Sequence, residues 1–552
     1  MEGPSSAGPG AATSPGPALA AASRDAMAGT RSGPPAGAEG PGGVAVRSPV
    51  GVVSGRGGSR LVRVGAGGVI EGRIGDDEAL VAVLPPVYPE WLGDRSFSAA
   101  HGCRFPYVIG EMARGIASAD MVIAGARAGL MAFFGSAGLS IPDIDEAITK
   151  IQGALGPQVR HWGANLIHSP QESHMEMDFA ELMLRRGVTN ISASAFMRLA
   201  PAVVYLSAKG LTRDADGTVR RRNHIFAKVS RVEVARPFLS PAPATLLDPL
   251  VAEGRLTAEE AELAQTIPVA GDITVEADSG GHTDNRPLPV LLPRIIELAD
   301  DLSAEHGYSE VPRVGVGGGL GTPSAIASAF AAGAAYVVTG SVNQATVESA
   351  LSEDGRRMLA QASMTDVAMA PAADMFEMGV EVQVLKRGTM FAQRGKELYK
   401  IYRAYPSFEA MPPDEFAAME QRLLGRSVAE IWEDTRTFFQ KRDPKEIERA
   451  QNDPRHKMAL VFRWYLFMGA QWARSGEERR RADYQIWCGP AMGAFNDWVR
   501  GSFLEPVENR SVVQIGLNLL EGAAWATRAN QLRLAGVPLG PSDRVFVPRP
   551  LR

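Results

Sequence analysis

From about Phe105 to Asn343 the chain alternates short β-prone runs with helical patterns, and this alternation constrains the fold more than any other feature. Parallel strands can be joined only by a long crossover, usually a helix, so such a rhythm implies βα units around a parallel sheet. Apolar segments at Met121–Ala124 and Leu130–Phe134 precede a helix over Ile141–Leu155, where Ile144, Ala147, Ile148, Ile151 and Leu155 share one face. Trp162–Ile167, Asn190–Ala193, Ile225–Val234, Ile273–Ala277, Val314–Gly317 and Tyr336–Thr339 read as strands. Helical patterns at Met175–Arg186, Ala200–Ala208, Val290–His306 and Ser324–Ala332 lie between them. The expected class is α/β, a (β/α)8 TIM barrel over residues 105–400.

The flanks differ in texture. Residues 1–75 are rich in Gly, Pro, Ala and Ser and read as a flexible tail, with 76–104 as a lead-in. Residues 237–268 hold a Pro-rich stretch and a capping-box start at Thr257-Ala-Glu-Glu, expected as a lid-like insertion over the barrel mouth. Beyond 400, long amphipathic patterns at Pro413–Leu424, Val428–Gln440, Lys457–Ala473 and Arg510–Leu534 predict a C-terminal helical domain over 401–552.

Chemistry concentrates in two turns. Val314-Gly-Val-Gly-Gly-Gly-Leu-Gly-Thr-Pro323 follows an apolar strand and opens a helix, which lets backbone N–H groups approach a phosphate closely. A dinucleotide fingerprint fails here, because Leu320 or Thr322 falls where its last glycine belongs. Tyr336-Val-Val-Thr-Gly-Ser341 ends in a second small polar turn one βα unit later, as strands 7 and 8 of a barrel provide for a phosphate. Gly317, Gly318, Gly319, Gly340 and Ser341 are therefore the candidate cradle.

Ile273-Thr-Val-Glu-Ala-Asp-Ser-Gly-Gly-His-Thr-Asp284 ends in acids, two glycines and a histidine, near the end of a strand where barrel enzymes keep their active sites. An unperturbed histidine titrates near working pH, so His282 reads as a candidate general acid or base or, more plainly, as a histidine that bonds a neighbouring turn, while Gly280 and Gly281 permit close approach of a cofactor and favour the first. Asn165 and Lys228 are candidate ring contacts, since a lysine near the barrel axis is costly unless it meets an anion or a polarised carbonyl, although Lys228 reads equally as an exposed lysine at a strand edge. The aromatics of Phe462–Phe467 with Trp472, Tyr484 and Trp487 read either as core or as an acyl tunnel, and the runs Arg220–Arg222 and Arg479–Arg481 either as solvated faces or as docking sites.

Composition excludes some classes. With 57 Lys and Arg against 62 Asp and Glu, the net charge is −5, so neither nucleic acid nor an anionic membrane is an expected partner. The 2 cysteines lack metal or redox spacing, no metal site is expected, and no secretory signal or membrane-spanning run is read, which points to the cytoplasm.

Ser279-Gly-Gly-His282, Gly317-Gly-Gly-Leu-Gly321 and Thr339-Gly-Ser341 together resemble the 2-nitropropane dioxygenase-like flavin barrels, which include nitronate monooxygenases and FMN-dependent enoyl reductases. A closer resemblance, to the PfaD family of trans-acting enoyl reductases, runs through Phe105–Gly110, Gly115–Ser118, Val314–Thr322 and Ala370–Glu377. It continues through Val382–Gly388, Lys457–Tyr465 and Asp483–Asn496, covering most of the chain after about residue 100. The resemblance implies FMN with its phosphate on Gly317, Gly318, Gly319, Gly340 and Ser341 and its ring near Asn165 and Gly281. It implies reduction by NADPH or NADH, and hydride transfer to an enoyl thioester on an acyl carrier protein of a polyketide or polyunsaturated fatty acid synthase, with His282 delivering a proton or polarising the thioester. A homodimer is compatible with it. The rival on the same barrel is a nitronate monooxygenase-type oxidase. An inosine monophosphate dehydrogenase-like reading needs a loop cysteine, which Cys103 and Cys488 do not supply, and a scaffold without cofactor would not need the Gly-Gly-His and phosphate turns.

Overall fold

In the computed structural model, which describes residues 44–65, 68–169 and 173–552, eight parallel strands close into a barrel. They are β1 (Tyr107–Ile109), β2 (Met131–Phe134), β3 (Trp162–Ile167), β4 (Asn190–Ser194), β5 (His224–Val229), β6 (Asp272–Glu276), β7 (Arg313–Gly317) and β8 (Val337–Thr339). Each pairs with its successor in the chain, and β8 returns to β1 through Val337 to Tyr107 and Thr339 to Ile109. The first strand is thus Tyr107–Ile109; the apolar run Met121–Ala124 instead lies in a helix, Ala119–Arg127, capped by Ser118. Its Met121 and Val122 are buried while Asp120 stays exposed, a pattern a helix can satisfy as readily as a strand.

Side chains fill the barrel rather than leaving a pore. Phe133, Phe226 and Tyr336 meet inside, and Phe97 from the helix Arg95–His101 closes the floor, its ring 4.4 Å from that of Tyr336. Room for these rings comes from glycine: a Cβ on Gly315 would lie 2.4 Å from the Tyr336 ring, and one on Gly163 would lie 2.7 Å from that of Phe133. At the same end, buried Asp272 receives two bonds from Arg313, at 2.7 and 2.9 Å, and sits 3.1 Å from Nε2 of His101.

The expected tail through residue 75 is corrected by the structure. Val50–Gly55, Gly58–Val64, Ile70–Glu71 and Glu78–Leu84 form an antiparallel four-stranded sheet. Val50 and Val52 of that sheet, with Val44, pack on Trp525, Leu532, Val537 and Phe546 near the other end of the chain, and Arg528 donates to the Pro85 carbonyl. Local pairing and this distant apolar partner supply the core that average composition denies. Residues 1–43 lie outside the described residues.

The insertion is also displaced from its expected position. Its helices Ala244–Ala252 and Ala258–Ala264 form, the second with the capping box at Thr257 and Glu260. They join the helix Val232–Leu239 to the start of β6, however, and a helix-to-strand connection emerges at the N-terminal ends of the strands, opposite the mouth. No described residue of 237–268 lines the cavity at the mouth.

After β8 the chain adds a hairpin, Val367–Pro371 with Glu381–Leu385, which extends to the barrel by pairing Gly281 with Gln383 and His282 with Val382. The helices Val428–Arg442 and Pro454–Ser475 then stand over the mouth, and Val512–Leu534 packs outside. Among the described residues no helix is long and apolar enough to cross a membrane.

Candidate active site

One cavity of about 570 Å³, within the usual range of ligand pockets, opens at the C-terminal ends of the strands. Its floor carries Lys228 from β5, flanked by Glu111 just beyond β1 and Glu276 at the end of β6, with Nζ 3.2 and 3.0 Å from their carboxylates. Burial alone would drive the lysine toward neutrality, but the two carboxylates outweigh it and hold Lys228 above its ordinary range, fully charged. Ser192 Oγ donates to Glu111 at 2.9 Å and fixes that carboxylate from another wall of the barrel.

The two small turns form one side of the cavity. Gly317, Gly318, Gly319, Gly340 and Ser341 all line it. Gly318 has φ +91, and a Cβ there would lie 2.7 Å from the Ala277 carbonyl, so the turn admits only glycine. At Gly319 and Gly340 the place of a Cβ is open space with nothing within 4 Å, a hollow that side chains would fill. The turns thus fit a phosphate on geometry alone.

His282 also lines the cavity. It is six residues past the end of β6, on the short strand that joins the hairpin, so the loop rather than the barrel strand aims it. Its Nε2 is 3.2 Å from Oδ1 of Asp374, and the imidazole remains 34% exposed to the cavity. Burial would favour the neutral ring, but the hydrogen bond and charge of Asp374 outweigh that and raise its proton affinity. Gln383 Nε2 donates to Asp278 and to the Ser279 carbonyl, at 2.8 and 2.7 Å, steadying the loop. Gly280 and Gly281 line the cavity, and a Cβ on Gly280 would lie 2.8 Å from Cys488 N, where the segment after Gln485 crosses the loop.

Two expectations change. Asn165 is buried and does not line the cavity, because its Nδ2 is committed to the Ser192 carbonyl at 3.0 Å and to Ser194 Oγ at 2.8 Å. The aromatic segment divides: Trp464, Phe467 and Trp487 line the cavity, whereas Phe462, Tyr465, Trp472 and Tyr484 are core. Both arginine runs are largely engaged within the chain, Arg220 with Asp214 at 2.5 Å and Arg481 with Asp354 at 2.6 Å.

Glu111, Glu276, Asp374 and His168, whose Nδ1 meets Glu176 at 2.9 Å, also belong to the site. Glu111 and Glu276 stand at strand ends and Asp374 lies within Ala370–Glu377, and that placement was their signal. Burial pushes the thiols of Cys103 and Cys488 up to about 11 and about 12, so neither is a nucleophile at neutral pH. Among the described residues, His101, His224 and Asp272 bring ligand atoms within 4.8 Å, but Arg313 already holds both oxygens of Asp272.

A barrel with this mouth is shared with a solved enzyme. The crystal structure of the enoyl reductase domain of MlnA, from the macrolactin biosynthesis cluster of Bacillus amyloliquefaciens, is 37% identical, with a TM-score of 0.77, covering 81% of this chain and 99% of that one. The chain belongs to the PfaD family. This PfaD member is also 50% identical over 469 residues to a component of the polyunsaturated fatty acid synthase of Thraustochytrium sp., covering 83% of the chain and 31% of that protein. It is 41% identical over 491 residues to polyketide biosynthesis protein PksE of Bacillus subtilis, covering 85% of the chain and 64% of that protein. The chain therefore spans about a third of the first relative and under two thirds of the second. Residues 405–484, which include both helices over the mouth, match the family model for the inserted helical domain of acyl-carrier-protein S-malonyltransferase.

Proposed function

We propose that the chain is an FMN-dependent, NAD(P)H-consuming enoyl reductase that acts in trans, in the cytoplasm, on enoyl thioesters carried by an acyl carrier protein in polyketide or polyunsaturated fatty acid synthesis. The observation that carries this reading is the continuity of one cavity, from the glycine turns past Lys228 and His282 to apolar walls contributed by the helical region. Gly317, Gly318, Gly319, Gly340 and Ser341 would hold the phosphate, Lys228 and Gly281 would face the ring, and Asn165 would act only through Ser192 and Ser194. When bound, FMN supplies the hydride that reaches the β-carbon of the enoyl thioester.

The α-carbon then needs a proton. His282 holds one more firmly than a free histidine does, and with Nε2–H directed at Asp374, Nδ1–H is the atom left to serve the cavity. Phe438, Phe439, Leu460, Trp464 and Phe467 keep water from the acyl chain, which a nitronate oxidase acting on small substrates would not require.

The purified protein should carry a flavin spectrum that NADPH bleaches without oxygen and an enoyl thioester restores. A protein that cannot take up FMN, or whose colour returns only with oxygen or a nitronate, would overturn the assignment.

A further inference from the structure

Arg114 lies in the loop after β1 and lines the same cavity, outside the groups that serve the flavin or the proton transfer. Its guanidinium stacks on Phe467, with Cζ 3.7 Å from the ring centroid. Among the described residues, that guanidinium makes no hydrogen bond and no ion pair. Its backbone is left-handed, φ 59, followed by Gly115 at φ 69, a conformation that bulky residues rarely adopt. The neighbouring loop imposes it: Arg114 N donates to the Ala137 carbonyl at 2.8 Å and Gly115 N to the Gly135 carbonyl at 2.7 Å. A glycine would sit there unstrained, so the strain serves the side chain, as strain at functional sites commonly does.

The surroundings favour an anion. Burial, Arg474 and Arg442 push Arg114 down to about 10, which leaves it cationic at neutral pH, and Asp374 opposes them. A guanidinium fork matches phosphate oxygens bidentately, and stacking on Phe467 aligns that fork. The adjoining wall of Phe438, Phe439, Leu460 and Trp464 suits a long uncharged arm attached to such a phosphate.

Resting on the reductase reading, we propose that Arg114 anchors the phosphate ester of a substrate that enters from the helical side. This chemistry has two sources: the phosphopantetheine arm that carries the acyl chain, and the diphosphate of the nicotinamide dinucleotide.

Calorimetric titration of the full-length, flavin-loaded protein with 4′-phosphopantetheine, pantetheine and NADP+ separates them. If the arm is the source, phosphopantetheine binds about 10–100-fold more tightly than pantetheine, and Arg114→Gln erases the difference. If Arg114→Gln instead weakens NADP+ by that factor, the dinucleotide is the source. Affinities unchanged by the substitution overturn the proposal, as does loss of the flavin, which would make its own phosphate the anion. Arg114→Gly supplies the control: it should melt no lower than the parent while losing the same affinity, whereas a lower melting point with intact affinities would mean a structural role. Turnover of an enoyl thioester by the unaltered protein tests the reductase reading separately, and the binding result stands or falls without it.

Discussion

Both ends of the barrel hold carboxylates beside basic groups, and the difference between them lies in what is left over. At the floor, Arg313 and His101 occupy both oxygens of Asp272, under a lid of Phe97. Burial would raise Asp272, but its two partners hold it well below the usual carboxylate range. At the mouth, Lys228 and His282 have carboxylate partners too, yet both face the cavity, and His282 keeps one ring nitrogen for it. The carboxylate at the floor has both oxygens taken and serves stability, whereas the basic groups at the mouth face a cavity where a ligand could meet them.

Four substitutions can break or sharpen that contrast. His282→Ala should lower kcat by about 10²–10⁴ if the ring delivers the proton, with the melting point scarcely moved. An unaltered kcat would take the mouth's histidine out of the chemistry. Asp272→Asn should do the reverse: it leaves Arg313 without its ion-pair partner and should cost about 3–5 kcal/mol in urea unfolding, with normal turnover per folded molecule. If activity fell with stability intact, the floor would not be merely structural.

Asp374→Asn should give a smaller effect, visible in the pH profile of kcat. Asp374 raises His282, so the proton-donating form persists to higher pH in the parent, and the alkaline fall in rate should move to lower pH in the variant. A profile that does not move would uncouple the pair. The least effect concerns His224, which burial and nearby His101 push down to about 4 from an ordinary 6.5. Below about 6.5 the unfolded chain takes up a proton that the fold resists, so stability should decline as pH falls from there to about 4. Urea midpoints against pH should show that slope, and His224→Gln should flatten it.

Much of this was legible in the sequence, for a reason that also explains the failures. The glycine turns and His282 carry their meaning within a few residues, as local turn chemistry does. Glu111 and Asp374 acquire theirs only from partners 117 and 92 positions away, Lys228 and His282, once the barrel closes. β1 has three residues, too few to stand out as a run. The hairpin of Val50–Gly55 and Gly58–Val64 had a readable two-residue turn containing Gly57, but averaging composition over the whole segment hid it. The insertion at 237–268 is legible as a helix but not as to which end of the barrel it covers, because a capping box gives no direction.

The clasp between the first sheet and the last long helix bears on how the molecule is made. Arg528 reaches the carbonyl of Pro85 across 443 positions, and Val50 and Val52 find Trp525 and Leu532 only after the barrel and the helical region between them have been synthesised. Loop closure over such a span costs only logarithmically more than over a short one, so the clasp is tolerable at equilibrium. On the ribosome the clasp follows the barrel: the sheet waits with an apolar face uncovered while the barrel assembles, and a chain interrupted before that helix would expose the face to its neighbours.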